Sequence, residues 1–76
     1  MHQFIAYLIK NIVDKPDAVE VKATDIENDT ILEVRVSAED VAKVVGRQGR
    51  TIKSLRTIAT SVGARLGRRV RVELIN

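Results

Sequence analysis

Two glycines three residues apart interrupt an apolar run in the second half of this 76-residue chain. The segment consists of Gly46, Arg47, Gln48, Gly49 and Arg50. Glycine tolerates a positive φ and lets another backbone come close, because it has no Cβ. A helix that begins behind the second glycine would present free N–H groups and the positive end of its dipole to the turn. With two arginines and an amide donor beside these groups, the segment is predicted to bind a phosphate.

The glycine spacing argues against nucleotide hydrolysis. A phosphate-binding loop of the Walker type requires GxxxxGK followed by Ser or Thr, directly after a strand, and this chain contains no Gly-Lys pair. The simplest structural alternative is a helix-turn-helix corner in which the glycines only close the turn. The charge and the secondary structure around the tetrad favour the phosphate site.

Charge is distributed unevenly along the chain. Residues 1–40 hold four Lys and Arg against nine Asp and Glu, a net charge of −5. Residues 41–76 hold nine Lys and Arg against one Glu, a net charge of +8. A domain whose cationic half is centred on a phosphate-type turn is suited to a polyanion such as a nucleic acid. A solvated charged face is the alternative interpretation.

Several functional classes are disfavoured by the composition. The chain has no cysteine, which excludes disulfides, thiolate catalysis and zinc–thiolate sites. The single histidine, His2, has no partner at catalytic or metal-ligand spacing, so no enzyme activity, metal or cofactor is expected. No run is long enough to span a membrane and no signal-peptide pattern is present, so we expect a cytoplasmic location.

The apolar periodicity of the first half predicts a helix and two strands. A stripe at helical spacing covers residues 2–13, and alternating residues from 18 to 26 predict a strand. Asn28-Asp29 has the composition of a two-residue hairpin turn. The next strand should therefore pair antiparallel with the first. Its predicted core residues are Leu32, Val34 and Val36.

The second half predicts two helices around the tetrad and a last strand. Ser37 is the expected N-cap of a short helix, with Asp40 in the capping-box position. A longer helix follows the tetrad and ends at Gly63 or Gly67, and residues 69–74 alternate as a strand. Because a strand reached through helices normally runs parallel to its predecessor, the sheet should be mixed. The pattern leaves the strand order open.

The apolar-Gly-x-x-Gly-x-x-apolar signature from Val45 to Ile52, between two helices of an αββααβ chain, resembles a KH domain of type II topology. The resemblance covers nearly the whole chain, so a single KH domain over residues 1–76 is expected, similar to the small bacterial KH proteins of the KhpA kind. It implies an α+β fold with three helices packed on a three-stranded mixed sheet. The GxxG loop would join the second and third helices.

In KH domains the GxxG loop clamps the backbone of about four single-stranded nucleotides. The resemblance therefore implies a non-enzymatic, single-stranded RNA-binding protein that acts as an RNA chaperone or post-transcriptional regulator. It also implies a homodimer or a pair with a second, larger KH-containing protein. The predicted RNA-binding residues comprise the clamp, the apolar groove beside it and the neighbouring cations: Lys43, Val45, Gly46, Arg47, Gln48, Gly49, Arg50, Ile52 and Lys53.

Other nucleic-acid binders fit the sequence less well. Aromatic residues make up 3% of the chain, and no strand offers the stacking platform of an RNA-recognition motif or an oligonucleotide-binding barrel. A helix-turn-helix DNA reader would need base-reading polar side chains on its second helix, where Arg50, Lys53 and Arg56 instead suit phosphates. A protein-interaction adaptor in a ribosomal or regulatory complex and a DNA-binding module remain alternatives.

Overall fold

A computed structural model describes residues 1–75, which form three α-helices, three strands and short 3-10 turns between them. In chain order they are α1 (His2–Lys10), β1 (Glu20–Ile26), β2 (Asp29–Arg35), α2 (Val41–Val45), α3 (Arg50–Arg65) and β3 (Arg69–Leu74). The predicted α+β class and αββααβ order are confirmed. No helix within residues 1–75 combines the length and the apolar character needed to cross a membrane.

The sheet has the order β1-β2-β3, with β2 in the centre. β1 and β2 are antiparallel, as a two-residue turn requires, and place Val21 opposite Val34. β2 and β3 are parallel, with Leu32 opposite Val72, because α2 and α3 carry the chain back across the sheet. The mixed sheet is confirmed, and β3 is left as an edge strand.

Alternation along the strands puts one face of the sheet against the helices. Apolar side chains of that face form one core with those of α1, α2 and α3. The largest fully buried apolar side chains are those of Ile5, Ile9, Leu32, Val34 and Val44. The other face carries opposite charges on neighbouring strands, such as Glu20 across from Arg35. These cross-strand pairs suit a solvent-exposed surface.

The turn between β1 and β2 lies one residue earlier than predicted. Ile26 pairs with Asp29, so the two turn residues are Glu27 and Asn28, and Glu27 takes the positive φ of 54°. The guanidinium of Arg68 donates to the carbonyl oxygens of Glu27 and Asp29 at 3.1 and 2.9 Å. These contacts, made by a residue about forty positions away, hold Asp29 in the strand.

The first helix is shorter than predicted and ends at Lys10 rather than residue 13. The amide side chain of Asn11 donates to the carbonyl oxygen of Tyr7 at 2.7 Å and caps the last turn. Ile12, which continues the apolar stripe in the sequence, lies beyond the helix and is 38% exposed. A side-chain hydrogen bond at the helix end therefore overrides the periodicity.

Of the two glycines predicted to end α3, Gly67 is the one that does so. Gly67 has a φ of +69° and its N–H donates to the carbonyl oxygen of Ala64 at 3.2 Å, which makes it the residue that stops the helix. Gly63 lies inside the helix and is buried against β3. A Cβ on Gly63 would lie 2.9 Å from the carbonyl oxygen of Arg68 and would overlap the side chain of Val70.

We expect Gly63→Ala to lower the free energy of unfolding by about 2 kcal/mol, because the added methyl forces β3 away from α3. Urea denaturation measures the change. In a Val70→Ala background the loss should be smaller, since part of the overlapping side chain is gone. Strictly additive losses for the two substitutions would show that the overlap with Val70 is not the cause.

Candidate nucleic-acid interface

The loop between α2 and α3 has an unusual backbone. Gly46 has φ 77° and ψ 175°, and Gly49 lies in the left-handed region with φ 75° and ψ 15°. Gln48 also has a positive φ, 57°, although it carries a side chain. A non-glycine residue in this region costs free energy and is often found at functional sites. The tetrad therefore forms a tight turn, with a single 3-10 turn over Arg47–Gly49, between α2 and α3.

The two glycines serve different purposes. A Cβ on Gly46 would lie 2.6 Å from the Cβ of Thr51 and 2.9 Å from its backbone nitrogen. Gly46 is thus required for close approach of the loop to the first turn of α3. A Cβ on Gly49 would meet nothing nearer than Ile52 Cγ2 at 4.0 Å, so Gly49 serves only the left-handed conformation.

The polar side chains of the loop point into solvent. Arg47, Gln48 and Arg50 are all exposed, and the Arg50 guanidinium donates to Gln48 Oε1 at 3.2 Å. No side chain caps the N-terminus of α3. The N–H of Arg50, the first residue of α3, donates to the carbonyl oxygen of Arg47, so this group is not free, contrary to the prediction. The exposed guanidinium groups of Arg47 and Arg50 remain at the turn, and such groups are strong donors to phosphate oxygens.

Apolar side chains on both sides fix the loop to the domain. Val44 is fully buried and belongs to the core. Val45, at the end of α2, is half-buried, and Ile52, in the first turn of α3, is 8% exposed. The loop thus rests on the core, with the partly accessible Val45 beside it.

A groove between α3 and β3 lies farther along α3. It has a volume of about 330 Å³ and is lined by Arg56, Thr60, Val70, Arg71, Val72 and Glu73. Arg69 donates its backbone N–H to the carbonyl oxygen of Asn28 in the parallel ladder. Since the backbone groups of a strand alternate in direction, those of Val70 and Val72 face the groove. Arg56 Nε donates to the Val72 carbonyl oxygen at 3.2 Å.

The predicted cation Lys43 is engaged within the protein. Its ammonium forms an ion pair with the carboxylate of Asp14 and lies 3.8 Å from that of Asp40. The hydrogen bond to Asp14 raises the pKa of Lys43 above its ordinary value, against the opposing effect of burial. Of the predicted cations, Arg47, Arg50 and Lys53 have no carboxylate of residues 1–75 within ion-pair distance, whereas Lys43 has two.

The capping box predicted at the start of α2 does not form. Ser37 makes no side-chain cap hydrogen bond, and the Asp40 carboxylate is fully buried instead. It accepts hydrogen bonds from the backbone N–H groups of Asp14 and Lys15 at 3.1 and 3.0 Å. These N–H groups lie in the connection from α1 to β1 and require an acceptor. Asp40 thereby ties that connection to the helix that leads into the loop.

The charged form of Asp40 is favoured in the folded protein. Burial alone would raise the pKa of the Asp40 carboxyl. The N–H groups of Asp14 and Lys15 and the ammonium groups of Lys43 and Lys15 have the opposite and larger combined effect, so the pKa of Asp40 lies below its ordinary value. A lowered pKa contributes stability that is complete above the unfolded-state pKa and is lost as the pH falls through the folded-state pKa.

We therefore expect the free energy of unfolding to fall below about pH 4 as Asp40 is protonated. Asp40→Asn lacks the titrating group, so the difference between parent and variant should be largest near neutral pH and should shrink on acidification. Urea denaturation of both proteins over a pH series measures this difference. A difference that stays constant with pH would contradict the role of the Asp40 charge.

Comparison with known proteins shows the family of the chain. The family model described as the KH domain of KhpA and KhpB matches residues 2–74. The chain belongs to this KH-domain family. The KhpA/KhpB family model thus covers the loop, both helices around it and the whole sheet, and it confirms the resemblance found in the sequence.

Curated relatives match over nearly their full length. The chain is 41% identical over 75 residues to the RNA-binding protein KhpA of Chlamydia trachomatis, covering 99% of this chain and 96% of that protein. It is 42% identical over 76 residues to the RNA-binding protein KhpA of Streptomyces coelicolor, covering 100% and 92%. The corresponding protein of Leifsonia xyli is 46% identical over 72 residues, covering 95% and 92%.

Solved structures of Era share the fold. An Era variant of Aquifex aeolicus bound to GDP and aluminium fluoride superposes with a TM-score of 0.65 at 19% identity. Era in complex with MgGDPNP and nucleotides 1506–1542 of 16S ribosomal RNA superposes with a TM-score of 0.66, also at 19% identity. Each superposition covers 96% of this chain but only 28% of Era. At this identity the likeness shows the fold alone.

Proposed function

We propose that this KH domain binds single-stranded RNA and that the segment from Gly46 to Gly49 clamps the RNA backbone. The observation that carries the proposal is that Arg47 and Arg50 are both exposed on the tight glycine turn that leads into α3. Guanidinium groups beside a turn whose glycines permit close approach suit a phosphodiester. The names of the curated relatives, RNA-binding protein KhpA, support the same ligand.

The cations without ion-pair partners and the groove support one path for the RNA. Lys53 and Arg56 follow the loop along α3, and neither has a carboxylate of residues 1–75 within ion-pair distance. Beyond them lies the groove along the edge of β3. Phosphates would contact the cations of α3, while bases would contact Val45 and the backbone groups of the β3 edge. Recognition by apolar and backbone contacts suits a chain with few aromatic residues.

We propose further that the protein acts in the cytoplasm as an RNA chaperone or post-transcriptional regulator, without catalysis. A clamp for about four nucleotides binds weakly by itself, and a second RNA-binding unit would raise the affinity. A homodimer or a pair with a larger KH-containing protein would supply that unit. The exposed side chains of Phe4, Tyr7 and Leu66, at 46%, 64% and 61%, support such an association.

The test is a titration of a labelled ten-nucleotide single-stranded RNA pool, followed by fluorescence anisotropy at two salt concentrations. We expect saturable binding, and a log-log salt slope of about −2 if three phosphates are neutralised. Unlabelled single strands should displace the probe and duplex DNA should not. Equal competition by the duplex would favour the DNA-binding alternative, and absence of binding would favour the adaptor.

A further inference from the structure

Lys43 lies close enough to the loop to reach a bound phosphate. It precedes Gly46 by three residues, which corresponds to about 4.5 Å along a helix axis. A lysine side chain is longer than this, and the Lys43 side chain is 43% exposed. Its ammonium is nevertheless directed to Asp14 and Asp40, toward the beginning of α2, as the tilt of helical side chains favours.

The two carboxylates around Lys43 have unequal structural roles. Asp40 is buried and accepts two backbone hydrogen bonds, so the fold depends on it. The side chain of Asp14 is 76% exposed, and its carboxylate has Lys43 as its partner within residues 1–75. The backbone N–H of Asp14, which binds Asp40, is present whatever the side chain. The Asp14 carboxylate can therefore be removed while the fold is kept.

We propose that the Asp14 carboxylate holds Lys43 in place of an RNA phosphate and so ends the RNA footprint on the α2 side of the loop. The inference rests on the proposed RNA binding. Carboxylate and phosphate oxygens are both good acceptors for an ammonium group, and they compete for the same donor. A phosphate that approached Lys43 would displace Asp14 and would also meet the negative charge of Asp40.

The charges on the α3 side of the loop also favour an RNA path along α3. Lys53 and Arg56 have no carboxylate of residues 1–75 within ion-pair distance, although Glu73 lines the groove together with Arg56. The α2 side, by contrast, carries Glu39, which pairs with Lys15 at 2.9 Å, in addition to Asp14. An RNA strand held by the loop is therefore attracted along α3 and repelled from the start of α2. Asp14 lowers the affinity and speeds release of the RNA.

The experiment compares Asp14→Asn with Asp17→Asn in the anisotropy titration. Both substitutions remove one negative charge from the same connection, and Asp17 is exposed and forms no ion pair within residues 1–75. Asp14→Asn should tighten RNA binding about fivefold at low salt and steepen the salt slope by about 0.7, the value for one additional phosphate contact on a single strand. Asp17→Asn should tighten it less than about twofold.

A Lys43→Met background tests whether release of Lys43 causes the gain in RNA affinity. In a Lys43→Met protein, Asp14→Asn should gain less than about 1.5-fold, because no ammonium is released. If Asp14→Asn gains the full fivefold in RNA affinity in the Lys43→Met protein, Asp14 acts by repulsion alone and the inference is overturned. Equal gains in RNA affinity for Asp14→Asn and Asp17→Asn would also overturn it. If the parent binds RNA and Asp14→Asn gains nothing, only this inference fails. If the parent binds no RNA, the proposed function fails as well.

Discussion

Replacing Arg47 and Gln48 together by aspartate should lower the affinity for single-stranded RNA by at least about 100-fold. The double substitution changes the charge at the loop by three units and places carboxylates where the phosphate is expected. The new carboxylate at position 48 would also pair with Arg50, which now donates to Gln48 at 3.2 Å. Both side chains are exposed, so the free energy of unfolding should change by less than about 1 kcal/mol. Anisotropy and urea denaturation measure the two quantities.

A matched control variant separates the effect of charge at the loop from the effect of the net charge of the protein. Gln3 and Lys10 lie on α1 and are exposed, and replacing both by aspartate gives the same change in net charge. This variant should lose less than about fivefold in RNA affinity, since exposed charges away from the contact are screened by salt. If it loses as much as the loop variant, RNA binding depends on net charge and the clamp hypothesis is wrong.

Gly46→Ala should be the most damaging single substitution in the loop. The combination of φ 77° and ψ 175° is essentially restricted to glycine, and the new methyl would overlap Thr51. Backbone strain and overlap together should cost about 4 kcal/mol of the free energy of unfolding, a large part of the stability of a small domain. Urea denaturation measures the loss, and RNA binding should fall with it because the loop can no longer close on α3.

Gly49→Ala provides the comparison, because it makes the same chemical change in the same tetrad. The added methyl has free space, and the left-handed φ of 75° costs only about 1 kcal/mol. The two variants should therefore differ by about 3 kcal/mol in the free energy of unfolding. Equal losses would mean that the contact between Gly46 and Thr51 is not what makes the first glycine necessary.

The loop and its flanking helices could be predicted from the sequence because their causes are local. Two glycines three residues apart, and apolar residues at helical spacing on either side, determine where the chain reverses. The order of helices and strands follows from the same periodicities, and the resemblance to KH domains rests on both. The position of Gln48 in the left-handed region is also local, but only the structure identified it.

The groove between α3 and β3 could not be predicted from the sequence, because it depends on strand order. The sequence placed Arg56 on a cationic face of its helix, yet its bond to the Val72 carbonyl oxygen exists only because β3 is an edge strand beside α3. No residue type or spacing in the sequence indicates that backbone groups of β3 line the groove. Their availability is decided by which strand pairs with which.

The sequence by itself determined the glycine loop, the succession of elements and the concentration of positive charge after residue 40. These properties depend on residues that are neighbours along the chain. The tertiary structure alone decided that Asp40 is buried rather than capping, and that Lys43 is held by Asp14, 29 residues away. Such contacts form only when folding has already brought distant segments together, because the entropy of closing the intervening chain must first be overcome.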